Sequence, residues 1–211
     1  MQKWFRVLVV VGLLWVGGSA GATPVTLSSL SSDATPVSAL GATYDFTVTG
    51  TQLKLTVTNS SQYSIVAIFF NDTNDVANLT LTGIQGSSED WLFRQTGDFM
   101  STPSFGTFDY ALHTPLWKNQ NLEGVGPGDV VSFLFDVDCA GLLVCDASDF
   151  ANATSFNGPV AVNVAGRFIR GPEGSTNPFG AGTQVGGQIP EPGTAMLLAA
   201  GLLGLAVRQR R

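Results

Sequence analysis

Charge, histidine, cysteine and long apolar runs are all scarce in this 211-residue chain, and each scarcity removes a class of function. Only 12% of residues are charged and His113 is the only histidine. A hydrolytic triad needs a general base beside an activated Ser or Cys. No G-x-S-x-G elbow accompanies His113, and Leu112–His113–Thr114–Pro115 reads as a strand end, so a surface or turn histidine is expected. Cys139 and Cys145 are the only cysteines. Their Cys-x₅-Cys spacing without a nearby His is not a zinc ligand pattern. A phosphate-binding glycine loop and the D-x-[DN]-x-[DN]-G calcium loop are both missing. No cofactor is expected. Between residues 41 and 170 a helical period is absent, apart from a turn near 146–153.

What is present is a series of short β-rich runs bounded by turn residues. Residues 44–49 (YDFTVT) and 53–58 (LKLTVT) alternate apolar and polar side chains, and Gly50-Thr51-Gln52 between them suits a hairpin. Residues 63–70 (YSIVAIFF) are almost continuously apolar, as in a central strand covered on both faces. Weaker strands are expected at 79–84, 91–93 and 105–112. Stronger ones follow at 130–137 (VVSFLFDV), entered through Gly126-Pro127-Gly128-Asp129, and at 160–169. Seven to nine such runs predict an all-β fold, an antiparallel β-sandwich over residues 23–170. Residues 23–41 read as a lead-in with at most one early strand. Residues 171–188, with six glycines and two prolines, read as a flexible linker that gives the domain clearance from a membrane.

The two ends differ from the middle. Residues 1–22 carry Lys3 and Arg6, then an apolar stretch at 7–16, then Ala20-Gly21-Ala22. This is the layout of a secretory signal helix cleaved after Ala22. At the other end, Pro190-Glu191-Pro192 precedes an uncharged Leu/Ala/Gly run at 195–207 and then Arg208-Gln209-Arg210-Arg211. Prolines fix φ and withhold donors, so the motif is extended and cannot continue a helix. About 15 small or apolar residues rise roughly 22 Å as a helix, short of the ~30 Å hydrocarbon core, and span it only with thinning or snorkelling arginines. The basic cluster holds that end in the cytoplasm.

This three-part tail, residues 189–211, resembles the PEP-CTERM sorting domain of Gram-negative bacteria. The resemblance implies exosortase as processing partner, with Pro190, Glu191 and Pro192 for recognition. It also implies a transient inner-membrane anchor through the short transmembrane helix, oriented by Arg208, Arg210 and Arg211, and delivery to the cell surface or extracellular matrix. The β-runs around 53–59, 65–71 and 126–136 also look like the β-domains that such surface proteins carry, which adds to the sandwich reading and says little about activity.

With both ends set aside, residues 23–188 hold five basic residues and fifteen acidic ones, near −10. So acidic a surface repels phosphate backbones and disfavours nucleic acid as a partner. In an oxidising compartment Cys139 and Cys145 are expected to form a disulfide that staples residues 140–144. Asp136 and Asp138, two apart on a strand, share a face. Asp146 with Asp149, and Asp72-Thr73-Asn74-Asp75, form further acidic turns that read first as solvated carboxylates. Paired carboxylates alone do not place a glycosidase site. N-x-[ST] sequons occur at Asn59, Asn71, Asn78 and Asn152. They are little above chance in so Ser/Thr-rich a domain, and such sites are usually unused in bacteria. Trp91 and Trp117 are candidates for a sugar-binding face, although most sandwich aromatics are core. The expectation is a non-enzymatic exported surface or matrix protein. Its rivals are a carbohydrate- or Ca²⁺-binding module of an exopolysaccharide matrix and, further off, a secreted hydrolase.

Overall fold

A computed structural model describes residues 23–27, 40–73, 75–102, 105–115, 124–141, 144–169 and 179–183. The chain divides into two compact units, Met1–Ser19 with Glu191–Arg211, and Ala20–Pro190; every described residue belongs to the second. The expected signal helix and transmembrane helix lie outside the described residues. Among the described residues no helix is long and apolar enough to cross a membrane.

Ten strands form: β1 Thr23–Leu27, β2 Ala42–Thr49, β3 Gln52–Asn59, β4 Ser64–Phe70, β5 Val76–Gln85, β6 Leu92–Thr102, β7 Gly106–His113, β8 Val130–Cys139, β9 Val164–Ile169 and β10 Phe179–Thr183. One helical turn, α1 Ser148–Ala151, lies between β8 and β9. All pairings are antiparallel, in the order β5-β8-β3-β2-β1-β10-β9-β4-β7-β6.

The ladder doubles over on itself. Phe46 of β2 meets Phe70 of β4 at 5.8 Å between ring centroids, and Phe70 meets Phe135 of β8 at 6.2 Å. Phe93 of β6 packs on Phe135 and Trp91 on Phe133, each at 5.0 Å. Every one of these contacts joins a strand of the β5-to-β1 half to a residue of the β10-to-β6 half. The two halves are therefore the layers of a sandwich, each strand sending alternate side chains inward. In β2 the burial alternates strictly, with Ala42, Tyr44, Phe46 and Val48 inside.

β4 departs from alternation. All seven of its residues are buried. Ile65, Ile68 and Phe70 join the main core, while Ala67 and Phe69 join a second cluster with Phe105, Phe108, Ala111, Val162 and Ala165 on the opposite face. The chain after α1 contributes Val162 to that cluster, and it pairs beside β7 through Phe156 and Thr107, which exchange backbone bonds of 2.8 and 3.2 Å. A continuous apolar run is what two covered faces require, as expected for residues 63–70.

The structure differs from the sequence reading in the segment before the sorting tail. Residues 171–188, expected to be an unpaired linker, contain β10, which pairs with β1 on one side and β9 on the other. Its composition hid it: Phe179-Gly-Ala-Gly-Thr183 has one large side chain, and its place in the ladder is given by pairing with β9 and with the distant β1 rather than by a propensity of its own. The turn expected near 146–153 is present as the helical turn α1, and its Phe150 stacks on Phe46 at 6.0 Å.

Asn59 ties the end of β3 to the chain entering β4 and to the chain entering β8. It is fully buried, and its Nδ2 donates to the Tyr63, Val125 and Gly126 carbonyls at 2.6, 2.8 and 3.1 Å. Its Oδ1 accepts from the Ser61 N–H and hydroxyl. Gly124 completes the same corner at φ +57°, where an added Cβ would strike the Ile65 carbonyl. Each of the three carbonyls has a second donor, in the Ser61 hydroxyl, the Ile65 N–H and the Asp129 N–H. Asn59→Ala still deletes five hydrogen bonds at a buried corner, so urea unfolding is expected to show a loss of roughly 2–4 kcal/mol at unchanged m. A loss under about 1 kcal/mol contradicts this role.

Candidate functional site

The carboxylates singled out in the sequence fall into two places. The first is an acidic crossroads at one end of the sandwich. β4 ends into the loop carrying Asp72 and Thr73, and Phe70 pairs in register with Tyr110 of β7. This pairing brings the Tyr110 hydroxyl to Asp72 Oδ2, to which it donates. Asn71 Oδ1 accepts from the Asp109 N–H at 2.7 Å, and the Thr73 hydroxyl donates to Asp149 Oδ1 at 2.9 Å from α1. Asp72, Asp109 and Asp149 thus arrive from three different elements.

Partial burial and the charges of Asp109 and Asp149 push the Asp72 carboxyl up to about 6, against the lowering effect of the Tyr110 hydrogen bond. Burial also raises Asp109, opposed by a hydrogen bond from the Asp72 backbone. Tyr110 is raised by burial, by its bond to Asp72 and by the two nearby carboxylates. The arrangement can hold or release a proton. Among the described residues no group of three or more His, Cys, Asp or Glu is placed to hold a metal ion.

The second place is a shallow, open hollow of about 420 Å³ on the outer face of the β5-β8-β3 layer, lined by Thr51, Asn78, Thr80, Asp136, Val137 and Asp138. Asp136 and Asp138 share a face, as their spacing predicted, and both are exposed. Register brings Asn78 opposite Asp138 and Thr80 opposite Asp136. Two carboxylates, an amide and two hydroxyls therefore surround one depression.

The remaining candidates lie elsewhere. His113 is not a surface histidine: it ends β7 and is 3% exposed. Arg94 Nε donates to its Nε2 at 2.9 Å, which leaves the proton on Nδ1 to donate to the Thr114 carbonyl at 2.9 Å. Burial holds its pKa below 6.5, aided by the Arg94 charge and opposed by the Thr114 bond. A cation on one nitrogen and a carbonyl on the other leave no lone pair for general-base work.

Asp146 and Asp149 bond the backbone of their own turn, with Asp146 N–H donating to Asp149 Oδ2 at 2.8 Å and Ser148 N–H to Asp146 Oδ1 at 2.7 Å. Ala140 N–H donates to the Asp75 carbonyl at 2.7 Å, and Asn74 lies outside the described residues. Cys139 and Cys145 are bonded to one another, with Cα atoms 5.8 Å apart. Of the sequon asparagines, Asn59 and Asn71 are buried and Asn78 and Asn152 exposed. Trp91 is core; Trp117 lies outside the described residues.

Sequence reasoning missed Asp109 and Tyr110. The signal that reveals them is the β4–β7 register, a contact 38 residues apart along the chain.

Residues 188–211 match the PEP-CTERM protein-sorting motif. The match contains Pro190, Glu191, Pro192, the apolar run and the arginine cluster, and is consistent with an exosortase substrate. No curated protein and no solved structure matches the chain. The motif residues, the arginines and the expected cleavage site at Ala20 and Ala22 all lie outside the described residues.

The crossroads gives a pH prediction. Asp72 holds its proton more tightly folded than unfolded. The stability this adds is full below about pH 4 and is lost as pH rises through about 6. His113 has the opposite sign: its share is present above about 6.5 and lost as pH falls. Asp72→Asn mimics the protonated acid. Its Tm is therefore expected to match the parent near pH 4 and to exceed it increasingly toward pH 7. A gap that is constant across that range contradicts the assignment.

Proposed function

We propose that this chain is an exported, non-enzymatic protein of the cell surface or extracellular matrix, held briefly in the membrane by its tail and delivered through exosortase processing. The observation that carries the reading is the sorting motif at residues 188–211. The secretory layout of residues 1–22 and the disulfide Cys139–Cys145 support it, because such bonds persist in oxidising compartments. The acidic, Thr-rich exterior fits a solvated secreted domain. The locked His113 favours a binding or structural role over a triad hydrolase. Replacing Glu191 by Ala removes the one charge of the Pro-Glu-Pro motif. Immunoblots of cell fractions are expected to show the precursor accumulating in the membrane fraction, and a variant of unchanged size and location would defeat the processing claim.

A second reading rests on the hollow at Asp136 and Asp138. Its mix of carboxylate, amide and hydroxyl groups suits a hydroxyl-rich glycan of an exopolysaccharide matrix, alone or bridged by Ca²⁺. Millimolar Ca²⁺ or a binding glycan then raises Tm by about 2–4 °C, and the Asp136→Asn/Asp138→Asn pair abolishes the rise. No shift with Ca²⁺ and no signal on a glycan array removes this reading.

A further inference from the structure

The position of β10 has a consequence for how the sorting motif is displayed. β10 is not a trailing edge. It lies in the interior of the ladder, with four register pairs to β9 (Phe179↔Arg167 through Gly182↔Val164) and two to β1 (Thr26↔Thr183 and Leu27↔Gly182). Six residues, 184–189, separate its last residue from Pro190. Fully extended, six residues reach about 20 Å.

If β10 leaves the sheet, the free chain begins after Ile169, the end of β9, and twenty residues reach about 70 Å. β10 is also a strand of low intrinsic stability. Glycine occupies two of its five positions, offering no side chain to pack and a larger entropy loss on ordering. Its hold on β1 is two register pairs, against five between β1 and β2.

We propose that β10 sets the reach of the sorting motif: paired between β1 and β9 it keeps the motif on a short tether, and its release lengthens that tether more than threefold. Processing at the motif is thus limited by the short tether while β10 stays paired. This rests on the exosortase reading above.

The test uses the full chain in cells that process it, with a Gly/Ser insertion of about ten residues placed either within 184–189, downstream of β10, or within 170–178, upstream of it. Both variants add the same length and composition. A strand that holds its place makes only the downstream insertion lengthen the tether. Pulse-chase is expected to show faster conversion for the downstream insertion, by roughly threefold or more, and a rate within about twofold of the parent for the upstream one. Equal acceleration by both insertions overturns the proposal, because β10 would not be anchoring the chain. Equal rates in all three chains overturn it too, because reach would not limit processing. If the parent itself is never converted, and Glu191→Ala behaves identically, the exosortase reading fails instead.

Discussion

The sheet depends on one pairing, that of the first strand with the last. β1 and β10 are the fifth and sixth strands of the ladder, and among the described strands theirs is the pairing that joins the β5-to-β1 half to the β10-to-β6 half. An antiparallel ladder twists, and ten strands do not stay open without curling or splitting. Here the ladder doubles at its centre and brings Phe46, Phe70 and Phe135 into one aromatic seam. The seam packs the layers together, and the β10-to-β6 half is complete only when the chain through Thr183 has arrived.

The ends of the sandwich are closed by different devices. At the α1 end, Phe150 fills the gap beside Phe46, Asp149 accepts from Thr73, and the disulfide fixes where the chain leaves β8. At the opposite margins of the ladder, β5 and β6 are edge strands, and each has an irregular register. The Gln95 side-chain amide donates to the Leu79 carbonyl, so one edge covers part of the other. Bulges and a capped carbonyl are the usual means by which an exposed edge avoids pairing with other chains. The acidic crossroads lies where β4, β7 and α1 converge. Its proton affinity is a by-product of closing that end with three carboxylates at partial burial.

Much of this was readable from residue order. Alternation in 44–49 and 53–58 predicted the β2–β3 hairpin, with Gly50 at φ +61° in its turn, and the unbroken apolar run of 63–70 predicted a strand buried on both faces. The spacing of Asp136 and Asp138 placed them on one face. What residue order could not supply was long-range register. Tyr110 and Asp72 meet only because β7 pairs with β4, and Phe179–Thr183 becomes a strand only because β1 and β9 flank it. His113 looked like a turn residue because its partner Arg94 arrives through the β6–β7 pairing, in which Leu92 lies opposite His113.

The account therefore joins an export-and-sorting tail, which is a local signal, to a domain whose last strand is a distant one. Its central claim is that the tail is a substrate for processing and not a permanent anchor. Intact-mass measurement of the protein recovered from the cell-surface fraction tests this most directly. The account predicts a species beginning at Thr23 and lacking the apolar segment and arginines of the tail. Recovery of a chain that still carries residues 195–211 from that fraction would contradict it.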